Sequence, residues 1–185
     1  MTTINIPSGT TLTASFALNQ GDNITVNGPG TFDPTSFGTF DLSRLEGSTA
    51  TINAKVGGHG VFDVSNITFG GAVGSGQTVD WELGGTITID DPAAFKATIA
   101  YPNYTVPFEG PFAEDLALVG LTQAAGWSFK NDLLSITNAS GKVIDKLHID
   151  GGPQGVAKAP NGSVYLWDGY GEYRLPSGSV ALPEH

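Results

Sequence analysis

The stretch VDWELGGTITIDDPAAFKATIA (residues 79–100) decides how the chain is read. Two acids beside a tryptophan resemble the start of an active site. The same residues also form two short alternating runs around a glycine pair. Val79, Trp81 and Leu83 alternate with polar residues, as do Ile87 and Ile89, which is the pattern of half-buried strands. Upstream, GDNITVNGPGTFD (21–33) and GSTATINAKVGGHGVFD (47–63) have the same order as GSGQTVDWELGGTITID (74–90): strand, glycines, strand, aspartate. The closing glycines, Gly30, Gly60 and Gly85, are 30 and 25 residues apart. A period in that range marks a solenoid or similar array, whose units bury an apolar face only by stacking.

The expected fold is therefore all-β: a parallel β-helix of few rungs closed by a C-terminal capping hairpin, with a β-sandwich as the alternative. Ile24, Val26, Phe32, Ile52, Ala54, Val56, Phe62, Val64, Val79, Trp81, Leu83, Ile87 and Ile89 form the expected inward set. Asp91 followed by Pro92 reads as the N-cap and first position of one helical turn, because TIAYPNYTVPF breaks any longer helix. The expected division is a β-solenoid over residues 1–150 and a Gly/Pro-rich aromatic cap or tail over 151–185.

Composition narrows the function. In 185 residues only 14 % are charged, the net charge is −10, and there are 26 glycines and no cysteine. A surface of that sign repels phosphate backbones, so no nucleic-acid partner is expected. Thiolate chemistry, Cys-based zinc sites and disulfides are excluded. No apolar run approaches 18 residues, so no membrane insertion is expected. MTTINIPSGT lacks the charged and apolar regions of a signal peptide, so an export signal is expected outside these residues.

Beyond residue 100, EDLALVGL (114–121) and WSFKNDLLSITNASGKVIDKLHID (127–150) add strands, with NASGK as a turn between two of them. The run from GGTITIDDPAAFKATIA through these segments resembles a repeat unit of large proteobacterial secreted β-solenoid proteins, of adhesin-like, autotransporter, filamentous-haemagglutinin or haemolysin-type character. The matching residues are Asp91, Pro92, Phe95, Thr98, Ile99, Asp115, Leu116, Leu118, Asn131, Leu134, Ile136, Gly141, Leu147 and Ile149. The resemblance implies an extracellular or cell-surface module for adhesion, scaffolding or matrix contact. Two departures stand out: Ala117 where a second acid is usual, and the inserted YPNYTVPFEGP (101–111). The glycine-aspartate calcium nonapeptide is absent.

Candidate chemistry is sparse. Trp167, Tyr170 and Tyr173 offer rings to stack on sugars, with Asp168 and Glu172 for hydroxyls, which makes a carbohydrate-binding module the first alternative. The same aromatics also suit an end plug. Glu82, Asp90 and Asp91 are the candidates for calcium at a solenoid corner, against simple turn and cap duty; no other cofactor is expected. Asp80, Glu82, Asp90, Asp91, Glu114 and Asp115 are the carboxylates for a polysaccharide lyase or hydrolase, the second alternative. His59, His148 and His185 have no metal or triad spacing and read as surface side chains, so no catalytic residue is assigned and no enzyme is expected. The expected partners are an extracellular polysaccharide, a host or matrix surface, or further copies of the chain, since exposed strand edges template pairing.

Overall fold

Short alternating strands bury one face of the pleat and leave the other to solvent, so they need a second sheet to cover the apolar face. The computed structural model describes residues 1–19, 21–38, 48–63, 66–80, 86–100, 115–167 and 175–185, with the side chains of Asp115 and Trp167 outside that description. The first coil holds β1 (Thr2–Asn5) and β2 (Thr11–Ala17), and the second β3 (Asn23–Asn27) and β4 (Thr31–Gly38). The third holds β5 (Thr49–Ile52), β6 (Lys55–Val56) and β7 (Gly60–Asp63). The fourth holds β8 (Asn66–Phe69) and β9 (Gln77–Asp80), and the fifth β10 (Thr86–Ile89) and β11 (Thr98–Ala100). Then follow β12 (Asp115–Leu118), β13 (Ala124–Lys130), β14 (Leu133–Asn138), β15 (Val143–Asp150), β16 (Gly155–Lys158), β17 (Val164–Trp167) and β18 (Val180–Ala181).

The chain is a β-solenoid. In the first sheet β1, β3, β5, β8, β10 and β12 stack in parallel; in the second, β2, β4, β7, β9, β11 and β15 do the same. Successive coils differ in length. Thr49 lies opposite Asn66, an offset of 17 residues, whereas Thr86 lies opposite Asp115, an offset of 29. Register is kept because like side chains stack. Ile24, Ala50, Ile67, Ile87 and Leu116 form one inward column, and Val26, Ile52, Phe69, Ile89 and Leu118 another. From the second sheet, Phe37, Phe62, Val79, Ile99 and Ile149 meet them. A chain of ring contacts, Phe16 to Phe37 to Phe62 to Phe69 to Phe95, runs through this core with centroids 5.2–5.6 Å apart.

Most of the inward set read from the sequence is buried: Ile24, Val26, Phe32, Ile52, Ala54, Val56, Phe62, Val79, Ile87 and Ile89. Val64, Trp81 and Leu83 lie outside the described residues. Gly60 sits where a Cβ would run into the Pro34 carbonyl of the coil before, so close packing of coils demands glycine there. Asp91 caps a 3₁₀ turn over Pro92–Ala94, its Oδ1 accepting the Ala94 N–H at 3.3 Å.

The third copy expected at residues 74–90 is out of phase with the other two. In the copies at 21–33 and 47–63 the first strand lies in the first sheet and the second strand in the second. In residues 74–90 the order is reversed: β9 belongs to the second sheet and β10 to the first sheet of the next coil. The in-phase third copy is NITFGGAVGSGQTVD (66–80). Alternation of period two is identical in both sheets, and glycine pairs occur at 57–58, 70–71 and 84–85, so they cannot mark one kind of corner.

The C-terminal end changes direction. β13 and β14 form a hairpin through Asn131 and Asp132, both at positive φ (52° and 59°), and β14 pairs antiparallel with β15. That extends the second sheet. The hairpin of β16 and β17 extends the first, with β17 antiparallel to β12 and β18 lying along β16. This is the expected capping hairpin, and the Asn161-Gly162 turn sits at its tip, Asn161 Oδ1 accepting the Ser163 N–H at 2.9 Å. The final residues join the two extensions. Leu182 N–H donates to the Val156 carbonyl, Trp127 N–H to Pro183 and His185 N–H to Trp127, while the Trp127 indole donates to the Leu182 carbonyl at 3.1 Å.

Candidate functional surface

A parallel sheet presents every second residue outward, and stacking repeats that choice about every 4.8 Å. On the first sheet the outward residues are almost all Thr or Asn. One row runs Asn23, Thr49, Asn66, Thr86; the next runs Thr3, Thr25, Thr51, Thr68, Thr88. A third row begins Asn5, Asn27, Asn53, where the Asn53 amide donates to the Asn27 carbonyl oxygen at 2.8 Å across the coils. Asn66 Oδ1 likewise accepts the Thr86 N–H at 3.3 Å. The Thr row ends at Ala117, which is covered. Among these positions no side chain carries a charge; Asp22 and Asp90 lie just beyond them, before Asn23 and after Ile89, and Asp115 follows Thr86 in register. The alternation within each strand contained this face, but reading for acids, histidines and aromatics passed over it.

The second sheet's outward face is different. It carries Asp33, Asp63, Asp80, Lys146, His148 and Asp150, with Asp63 and Asp80 directly opposite in register. Burial raises the Asp80 carboxyl above its ordinary pKa of 3.8. Asp90 and Asp91 are exposed, and Asp91 serves as a cap, as the turn reading had it. Glu82 and Glu114 lie outside the described residues, as does the side chain of Asp115. His59, His148 and His185 are exposed. No group of three or more His, Asp or Glu gathers among the described residues. Of the sugar-stacking candidates, Asp168, Tyr170, Glu172 and Tyr173 lie outside the described residues, and only the backbone of Trp167, at the end of β17, lies within them. Trp127 is buried in the cap.

Two further features carry polar groups. An open cavity of about 380 Å³ lies between Thr122, Lys158, Pro160, Asn161 and Val180 at the cap. Its one cation among the described residues, Lys158, already donates to the carbonyls of Ala124 (2.8 Å) and Thr122 (3.3 Å), so it works as a strut in the cap. Asp145 points inward from β15 with one carboxylate oxygen unpartnered. Its pKa is raised, chiefly by burial; the Lys146 backbone amide and the Lys96 charge pull it down, and Asp91 pushes it up. Comparison with protein families, curated proteins and solved structures finds no match to this chain.

Proposed function

We propose that this chain is a non-enzymatic β-solenoid module of an extracellular or cell-surface protein, of the proteobacterial adhesin-like kind, and that it works by contact between its first sheet and a neutral polysaccharide. One observation carries the reading: in a chain of net charge −10, the outward rows of the first sheet are Thr, Asn and Gly without a charge through the first four coils, from Thr3 to Gly70, and Thr86 and Thr88 continue two of them. Thr offers a hydroxyl and a methyl, and Asn an amide that both donates and accepts. Each such hydrogen bond is worth only about 0.5–1.5 kcal/mol net, so useful affinity needs many at once. A row repeating over roughly 20 Å supplies them to an extended polymer and not to a small ligand. An acidic polymer gains nothing on this face and is repelled by the rest of the molecule.

The test is co-sedimentation with insoluble neutral polysaccharides such as cellulose, chitin and β-1,3-glucan. Binding to at least one is expected, with loss in a Thr25→Lys, Thr68→Lys double variant. The two sites are separated by Thr51, so the new charges do not sit in adjacent coils. Trp167→Ala is the parallel arm: if it alone abolishes binding, the C-terminal aromatics carry the contact. No binding by the unmodified chain, or full binding by the double lysine variant, sinks the proposal. Incubation with acidic polysaccharides tests the non-enzymatic part, since shortened or unsaturated products would overturn it.

A further inference from the structure

We infer that the outward face of the first sheet binds ice, its two rows of Thr and Asn holding water at the repeat of the hexagonal ice lattice. The inference shares its face with the polysaccharide reading, but it rests on the spacing of that face, and either can fail alone. Thr3, Thr25, Thr51, Thr68 and Thr88 follow one another in register, one from each of five neighbouring parallel strands. Asn23, Thr49, Asn66 and Thr86 form the second row, two residues earlier along the same strands. These pairings carry no register shift, whereas β2 and β4 in the second sheet are offset between Ala14 and Ser15. Ala117 and Asp115 end the two rows.

The spacing selects the partner. Parallel strands stand about 4.8 Å apart and residues i and i+2 of one strand about 6.6 Å, so the two rows outline a rectangular net. Water oxygens hydrogen-bond at about 2.75 Å; in a tetrahedral network this puts second neighbours about 4.5 Å apart and the axial repeat of hexagonal ice at about 7.3 Å. Those two lengths meet at right angles on a prism face of the crystal. Over the five threonines the mismatch along the row grows to about 1.2 Å, under half a water–water distance, so the row stays in phase with the lattice.

The chemistry of the face agrees. Thr is β-branched and restricted at χ1, so its hydroxyl and methyl hold fixed positions. The hydroxyl both donates and accepts, as a lattice water does. On the second sheet outward hydroxyls are engaged with neighbours: Thr13 donates to Asp33 at 3.5 Å, and Ser15 lies 2.7 Å from the Thr35 hydroxyl. Among the described residues no such bond ties down a hydroxyl of the Thr row. A charge on the face would orient water about itself and break the lattice, and none of these Thr and Asn side chains carries one.

The test is the growth of a single ice crystal in a dilute solution of the unmodified chain. The crystal is expected to become faceted, and to start growing only below its melting temperature, by a gap that widens with protein concentration. Thr51→Lys, at the centre of the row, is expected to remove both effects. Thr78→Lys, outward on β9 of the second sheet, is expected to leave them unchanged. Circular dichroism checks that each variant is folded. Thr51→Ser with Thr68→Ser keeps the hydroxyls but loses the methyls and the restriction at χ1, and is expected to narrow the gap. Unfaceted crystals at every concentration of the folded chain, equal faceting by Thr51→Lys, or an unchanged gap in the double serine variant would overturn the inference. The ice assay contains no polysaccharide and the co-sedimentation no ice, so failure of one reading is distinct from failure of the other.

Discussion

Phe62→Ala tests whether the core is a rigid stack. Phe62 has no exposed surface, and its ring meets Phe37 at 5.5 Å, Phe69 at 5.2 Å and Phe32 at 6.4 Å. It belongs to the second sheet, whereas Phe69 belongs to the first, so the ring bridges the two. Truncating a buried Phe costs about 3–5 kcal/mol, the spread reflecting how far the site collapses. Here collapse is hindered, because β7 is hydrogen-bonded between β4 and β9 and neither sheet can move inward alone. Three lost ring contacts, each worth about 0.5–1.5 kcal/mol beyond area burial, act in the same direction without adding fully. The expected loss is therefore near the upper limit, about 4–5 kcal/mol, against a total of about 5–15 kcal/mol for an ordinary domain. Urea unfolding followed by far-ultraviolet circular dichroism reads it as a lower midpoint at unchanged slope. A loss under about 2 kcal/mol would mean that neighbouring rings refill the space, and would refute the rigid-stack argument.

The remaining predictions concern single positions. Burial raises the Asp145 pKa above 3.8, so the folded chain holds that proton more tightly than the unfolded chain. Its penalty is absent in acid and grows as pH rises through the folded value, so Asp145→Asn should stabilise at neutral pH but not near pH 3; a pH-independent difference between the two urea midpoints would count against this. Gly60→Ala should cost about 1–3 kcal/mol, because backbone must shift around the Pro34 carbonyl. Gly141→Ala, at φ +78° in open space, should cost about 1 kcal/mol. Thermal unfolding of the pair gives the order, and a larger cost at Gly141 would contradict the packing account. Asp91→Ala removes the side-chain cap on Ala94 N–H and should cost about 1 kcal/mol, read in the same assay.

Much of the solenoid was legible because its strands alternate strictly. Inward residues such as Val26, Ile52 and Phe62 followed directly from that alternation. The phase of the coils was not legible. A strand of either sheet looks the same in isolation, and only the register of Asn66 against Thr49 shows that residues 66–80 form the third copy. The cap was legible in its turns, Asn138-Ala-Ser-Gly and Asn161-Gly162, because Asn side chains bind nearby backbone amides. The capping hairpin was expected, but the antiparallel pairing of β17 with β12 and of β13 with β14 was not legible, since period two does not encode direction. The candidate surface was hidden for a related reason: Thr25 and Thr51 become neighbours only after stacking, 26 residues apart in sequence.

The unequal spacing of partners also sets an order of folding. In the second sheet, β7 meets β9 across 17 residues (Gly60 and Gln77), and β9 meets β11 across 20 (Thr78 and Thr98). β11 meets β15 across 50, Thr98 opposite His148. Closing the longer loop costs only about 0.8 kcal/mol more in chain entropy, by the logarithmic dependence on length. Yet that closure must place β15 with β14 already lying against its far edge. The hairpin of β13 and β14, closed by a two-residue turn, is local and forms on the microsecond scale. The coils pair between near neighbours and the hairpin of β13 and β14 is local, so docking of β15 onto β11 is the expected slow step of folding.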